Sequence, residues 1–255
     1  GGVGKTFVSA NLAAALSRRG HRVLVLDADL GLANLDVVLN LHPKTTLHDV
    51  FTGKATLDQA VVKAPGGFSV LLAGSGMVEY SRLTPEVRNE FMRVIESSLP
   101  SYDVVLLDTG AGISDVVLFA VSLASDVLLV ATPEPTSLTD AYAAIKVLCT
   151  QQQRTVIRLV INQAARPGDG RAITSQLQQV LDRFVSNGSN KPVRLIHAGT
   201  YLPTRQCARP SCAASCCSQR HPAARRRWPW RKWPASSTRP CSPPSRAAER
   251  RRADF

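Results

Sequence analysis

Gly1-Gly2-Val3-Gly4-Lys5-Thr6 opens the chain and decides how the rest is read. It matches the end of the phosphate-binding pattern G-x-x-x-x-G-K-[ST]. In that pattern backbone N–H groups cradle phosphate oxygens, the lysine pairs with the outer phosphates and the hydroxyl ligates Mg²⁺. Gly4, Lys5 and Thr6 supply its last three elements. The first glycine of the pattern, and the buried strand that feeds such a loop, are expected before residue 1, so the expected sheet lacks its N-terminal strand here.

Working outward, Phe7 to Arg19 carries apolar residues at helical spacing, and Gly20 is a natural stop. Such a helix aims its N-terminus at the phosphates. His21 to Asp27 reads as a buried parallel strand ending in an acid, the end at which α/β sheets place ligands. Asp27 and Asp29 stand two apart just beyond it. Either both face a nucleotide, where a magnesium-bound or attacking water is their natural partner, or Asp29 caps the next helix.

Tyr102 to Gly112 is the second strong signal: an apolar strand ending in Asp108, then Thr109-Gly110-Ala111-Gly112. A strand of this kind holds its acid beside a magnesium shell, while the glycines let backbone approach the terminal phosphate. Common alone, it is specific when paired with Gly4-Lys5-Thr6 about a hundred residues earlier.

Between these signals the spacing predicts two short helices over 46–63, with Thr56 a cap, a strand over Phe68 to Ala73, and a helix opening at Thr84-Pro85-Glu86. Beyond Asp108 the alternation continues: helix 115–123, strand 126–131, helix 138–151, strand 155–161, helix 171–184, strand 193–196. The expected fold is α/β, a doubly wound and mostly parallel sheet flanked by helices. Thr132-Pro133-Glu134-Pro135 and Asn162-Gln163 sit at strand ends where polar groups can meet a base or ribose. Asn162 either reads an adenine edge or caps a turn.

The net charge of +12 is lopsided. Residues 1–200 hold 18 Lys+Arg against 17 Asp+Glu, whereas residues 201–255 hold 13 against 2, so the body carries no broad basic surface for nucleic acid. Cys149 is the body's one cysteine, which suits a reducing cytoplasm and leaves no cluster ligands. The expected domains are an ATPase body over 1–200 and a tail over 201–255. In the tail the periodicity gives way to Pro, Arg, Ser, Cys and Trp, with eight of the sixteen prolines. Three readings compete for it: a basic disordered arm, a cysteine metal site, or an out-of-frame translation. Shifting the frame turns Cys216-Cys217 into leucine and Trp233-Pro234 into alanine, and the frameshifted, disordered reading is favoured. The metal reading lacks a second cysteine pair at zinc spacing.

Together Gly1 to Thr6, Asp27-Ala28-Asp29 and Asp108 to Gly112 resemble the MinD/ParA family of deviant Walker A ATPases. Asp27 to Asp36 (DADLGLANLD), Asp108 to Ser114 (DTGAGIS) and Pro133 to Tyr142 (PEPTSLTDAY) narrow the likeness to its flagellar number-regulating branch. The likeness covers about residues 1–200.

The resemblance implies an ATP- and Mg²⁺-dependent, weakly hydrolysing dimerisation switch. Its nucleotide would contact Gly1, Gly2, Val3, Gly4, Lys5, Thr6, Pro133 and Asn162. Lys5, Asp29 and Asp108 would be catalytic, with Asp29 orienting the attacking water, and Thr6, Asp27 and Asp108 would serve the metal. The family's second signature lysine would fall just before Gly1. Implied partners are a second copy, a flagellar signal-recognition-type GTPase, a flagellar transcription activator and switch-complex proteins. The implied location is the cytoplasm, with reversible contact with the inner membrane. A septum-site regulator, a partition ATPase and a nucleotide-dependent binding module without turnover are the alternatives.

Overall fold

The computed structural model describes residues 2–30, 35–74, 82–185 and 192–203. Those residues fall in one compact unit. Gly1, the 31–34 stretch and the tail beyond Pro203 lie outside them, and with them the three readings of the tail.

Helix α1 (Lys5–Ser17) follows the loop directly. Strand β1 (Val23–Asp27) is buried at every position, as a central strand covered on both faces must be. Short helix α2 (Leu35–Leu39) comes next. Helices α3 (Leu47–Phe51) and α4 (Leu57–Ala60) each open on a capping box, Thr46 with Asp49 and Thr56 with Gln59. The expected second helix stops there, because Val61–Lys63 is strand β2, antiparallel to β3 (Ser69–Leu71).

Thr84 caps α5 (Pro85–Ser98), its hydroxyl accepting from the Val87 amide at 3.4 Å. Then follow β4 (Val104–Asp108), α6 (Asp115–Leu123), β5 (Leu128–Ala131), α7 (Pro135–Gln152), β6 (Val156–Ile161), α8 (Asp169–Phe184) and β7 (Arg194–Thr200). The last strand runs four residues past its expected end, through His197 and Gly199, with a register shift opposite Leu159 and Val160.

The expected architecture of a mostly parallel sheet between helices is present, with one difference. Hydrogen bonding divides the strands into a four-stranded sheet, β2-β3-β1-β4, and a three-stranded one, β5-β6-β7. Among the described residues β4 pairs with β1 alone and β5 with β6 alone, and no strand joins them. Helix α6 packs into both cores, through Phe119 and Ala120 in one and Leu118 and Val121 in the other, and helix α1 packs on both sheets. Its Ala10, Ala13 and Ala14 pack on Val23, Val25 and Val70 of the first sheet, while Val8 packs on Val130 and Val160 of the second. The opposite face of the first sheet, Leu24, Leu26 and Leu71, carries the core with α3 to α6, and α7 and α8 cover the second sheet's outer face. No helix among the described residues is long and apolar enough to cross a membrane.

Candidate functional site

Parallel pairing sets the site. Asp27 and Asp108 end neighbouring strands in register, and the Ala28 amide donates to the Asp108 carbonyl at 2.8 Å. Both acids are almost fully buried, 2% and 5% exposed. Asp27 Oδ1 accepts the Asp29 amide at 3.2 Å, whereas Asp27 Oδ2 is buried with no hydrogen-bond partner. Burial pushes the Asp27 carboxyl up to about 7, opposed by that amide and aided by the charges of Asp108, Asp29 and Asp36. Asp108 is also raised by burial. The Thr6 and Ser9 hydroxyls and the Lys5 charge pull it back, and Asp29 pushes it further up. Ser9 Oγ donates to Asp108 Oδ1 at 2.9 Å.

The structure thus gathers Lys5, Thr6, Asp27, Asp29 and Asp108. The Asp29 carboxylate lies against Gly110, where a Cβ would stand 3.1 Å from its Cγ and both oxygens. A side chain at 110 would make the Asp29 carboxylate give way by a few tenths of an ångström.

On the loop, Gly4 is the N-cap of α1 at φ 86° and ψ 32°, a left-handed backbone that suits glycine. Its carbonyl accepts the Val8 amide at 3.0 Å, and α1's first-turn amides turn toward the loop. Gly2 also has φ 86°, with nothing within 4 Å of where its Cβ would be.

Asn162 ends β6, 7% exposed. Its amide lies on the loop: Nδ2 donates to the Val3 carbonyl at 2.9 Å. Pro133 stands in the β5–α7 connection, at the carboxyl end of its sheet as Asn162 is. Beside it the Thr132 amide donates to Ser137 Oγ at 2.9 Å, and the Thr132 hydroxyl is buried without a partner. Gly1 lies outside the described residues.

Sequence reasoning passed over Ser9 and marked Thr132 only as part of a polar strand end. Ser9 lies three and four residues beyond Thr6 and Lys5, one helical turn, so spacing alone puts it on their face. No pattern marks Thr132 beyond its place at a strand end.

The donor set fits a hydrated divalent cation held beside phosphate. Magnesium takes most of its shell from water and phosphate oxygen and needs few protein ligands. One hydroxyl and two desolvated carboxylates, one of them with an unpartnered oxygen, suit that demand. No group of three or more His, Cys, Asp or Glu side chains arranged to hold a metal by themselves occurs among the described residues. The loop backbone and α1's N-terminus fit the phosphates.

The family model described as an AAA domain matches residues 1–161. The chain is 45% identical over 185 residues to the antiactivator FleN of Pseudomonas aeruginosa, covering 72% of this chain and 66% of that one. It is 35% identical over 188 residues to the flagellum site-determining protein YlxH of Helicobacter pylori, covering 73% and 63%. The chain thus spans slightly under two thirds of these relatives' own length. Among solved structures it is similar to the septum site-determining protein MinD of Pyrococcus horikoshii complexed with Mg-ADP. The TM-score is 0.57 and the identity 28%, over 77% of each chain. A P-loop running into α1, neighbouring parallel strands ending in paired acids and these likenesses agree, and the chain belongs to the MinD/ParA family of P-loop ATPases.

Proposed function

We propose that this chain is an ATP-binding, ATP-hydrolysing switch that regulates the number or placement of flagella. One observation carries the reading: Asp27, Asp29 and Asp108 are gathered at the Gly4-Lys5-Thr6 loop, in a chain 45% identical to an antiactivator and 35% identical to a flagellum site-determining protein.

In this reading the Gly2–Gly4 backbone and α1's first-turn amides bind the phosphates, and Lys5 balances their charge. The Thr6 hydroxyl, Asp27 and Asp108 would hold a hydrated Mg²⁺, with Ser9 fixing the Asp108 carboxylate. The ion's chemistry is neutralisation of phosphate charge. Asp29, wedged against Gly110, orients the attacking water. Asn162 and Pro133 serve the base side of the site.

Bound nucleotide favours a homodimer, and hydrolysis, slow without a partner, releases it. The name antiactivator supports a transcription activator as one partner. A signal-recognition-type GTPase and switch-complex proteins are further partners suggested by the family likeness, as are a cytoplasmic location and reversible membrane contact. The near-neutral body speaks against specific nucleic-acid binding. A septum-site role is the second reading, supported by the likeness to MinD at 28% identity.

ATP turnover and ATP-dependent dimerisation, measured on wild type and Asp29→Ala, test the biochemical half. Turnover and dimerisation are expected in the wild type, and turnover equal in the two proteins would remove Asp29 from its role. Counting flagella in cells lacking the gene tests the other half, and unchanged number and placement would refute it.

A further inference from the structure

Asn162 does more than stand at the edge of a base site. Its carboxamide offers two N–H donors and an oxygen with two lone pairs. Nδ2 donates to the Val3 carbonyl at 2.9 Å, and Oδ1 accepts the Gln163 amide at 3.0 Å. These two bonds define which end of the amide is nitrogen. The residue itself is pinned, since its backbone N–H donates to the Ala131 carbonyl at 2.8 Å.

The loop rests directly on this amide. A Cβ on Gly4 would stand 2.4 Å from Asn162 Nδ2, so only a glycine lets the loop come so near. Val3 holds the contact from its other side, its side chain packing with Val8, Val130 and Val160. The phosphate loop is thus docked on the second sheet by a side chain 159 residues away in sequence.

From this geometry we propose that Asn162 is a positioning residue for the phosphate loop, coupling the end of β6 to the phosphates through the Val3 carbonyl. The inference rests on the phosphate-site reading given above and adds to it. A residue that only reads the base acts on ligands that have a base. One that holds the loop acts on every ligand bearing the phosphates. The amide keeps one N–H and one lone pair beyond its two bonds, the pair that can meet an adenine edge, so both tasks are open to it at once.

The test compares Mg-ATP with Mg-tripolyphosphate, which has no base, on the full chain. Affinities for wild type, Asn162→Ala and Asn162→Leu are measured by calorimetry; the leucine preserves bulk without the donor. The expected result is a loss of about tenfold for both ligands in both variants, the cost of one buried hydrogen bond. In the ligand-free variants the amides of Gly2 to Thr6 should also exchange hydrogen faster than in wild type. Weakened ATP binding with tripolyphosphate binding and loop exchange at wild-type values would overturn the proposal and leave Asn162 a base reader. A wild-type chain that binds neither ligand would instead overturn the phosphate-site reading and this inference with it.

Discussion

The two sheets meet the same loop with opposite chemistry. At the end of the first, Asp27 and Asp108 are buried acids that desolvation pushes toward their protonated forms, and Asp27 keeps an oxygen without a partner. At the end of the second, Asn162 is neutral and pinned by three hydrogen bonds. One sheet holds groups poised to change partners when a cation and phosphate arrive, and the other holds a group that already has them. This division predicts that substitutions on the first sheet alter turnover and pH response, while those on the second alter binding and shape.

The largest effect expected from this division is on turnover. Asp29→Ala should lower kcat by about 10²–10³, the usual scale for losing a group that directs proton transfer. Its affinity for Mg-ATP should stay within a few-fold of wild type. Asn162→Ala should do the reverse, weakening affinity more than kcat. Steady-state kinetics beside direct binding separates the two, and equal losses in both variants would erase the distinction between the sheets.

Next comes the pH dependence of stability. Folding raises the Asp27 carboxyl from an ordinary 3.8 to about 7, and Asp108 moves in the same direction. Between those pH values the folded chain holds a proton that the unfolded chain has released. Ligand-free stability is therefore greatest at the acid end of that window and falls as pH rises through it to about 7. Asp27→Asn has no such proton to lose. It should be more stable than wild type at pH 8, by roughly 2–4 kcal/mol, and the advantage should shrink toward pH 4. Urea melts at several pH values measure this, and Mg-ATP should narrow the gap by giving the wild-type carboxylates a cation.

Much of this was legible in the chain itself, for a physical reason. A strand buried on both faces must be a continuous apolar run, so Val23 to Leu26 announces itself; the half-buried Val104 to Leu107 is as continuous an apolar run, and the acids that end both stand out. Thr84-Pro85 likewise marks α5, because a cap and a proline at the first helical position act locally. Strand β2 was hidden because it is three residues long and continues directly from α4; what makes it a strand is its antiparallel pairing with Ser69 to Leu71, helped by Lys63 Nζ donating to Ser69 Oγ at 2.9 Å. The contact of Asn162 with Val3 was hidden more deeply. Only the path of the whole chain brings those residues together, and nothing in Asn162-Gln163 distinguishes a loop clamp from a base reader.

A smaller effect tests how tightly the second sheet is built. Gly170 in α8 faces β7 so closely that a Cβ would lie 2.0 Å from Thr200 Oγ1 and 2.8 Å from His197 Cε1. Thr174 Oγ1 donates to the Gly170 carbonyl at 2.7 Å and meets His197 Nδ1 at 3.3 Å, so the ring has little freedom to move aside. Gly170→Ala should cost about 1–3 kcal/mol by overpacking, read as a lower urea midpoint. The first sheet's pH response should survive the change, since none of these residues touches Asp27 or Asp108.

The smallest effect expected bears on what holds the two sheets in one unit. Helix α1 packs on both, but its two contacts differ in kind. Ala10, Ala13 and Ala14 lie along β1 and β3 within a broad cluster, whereas Val8 enters a small one with Val130 and Val160. Truncating Val8 to alanine removes two buried methyl groups, a loss of about 1–2 kcal/mol. If α1 joins the sheets as these contacts imply, that loss should not be shared evenly. Hydrogen exchange should quicken in β5 and β6, next to Val8, while β1 and β3 keep the protection that the alanine contacts provide. Uniform acceleration across all these strands would mean that the sheets open together, and that the division between them is one of chemistry and not of stability.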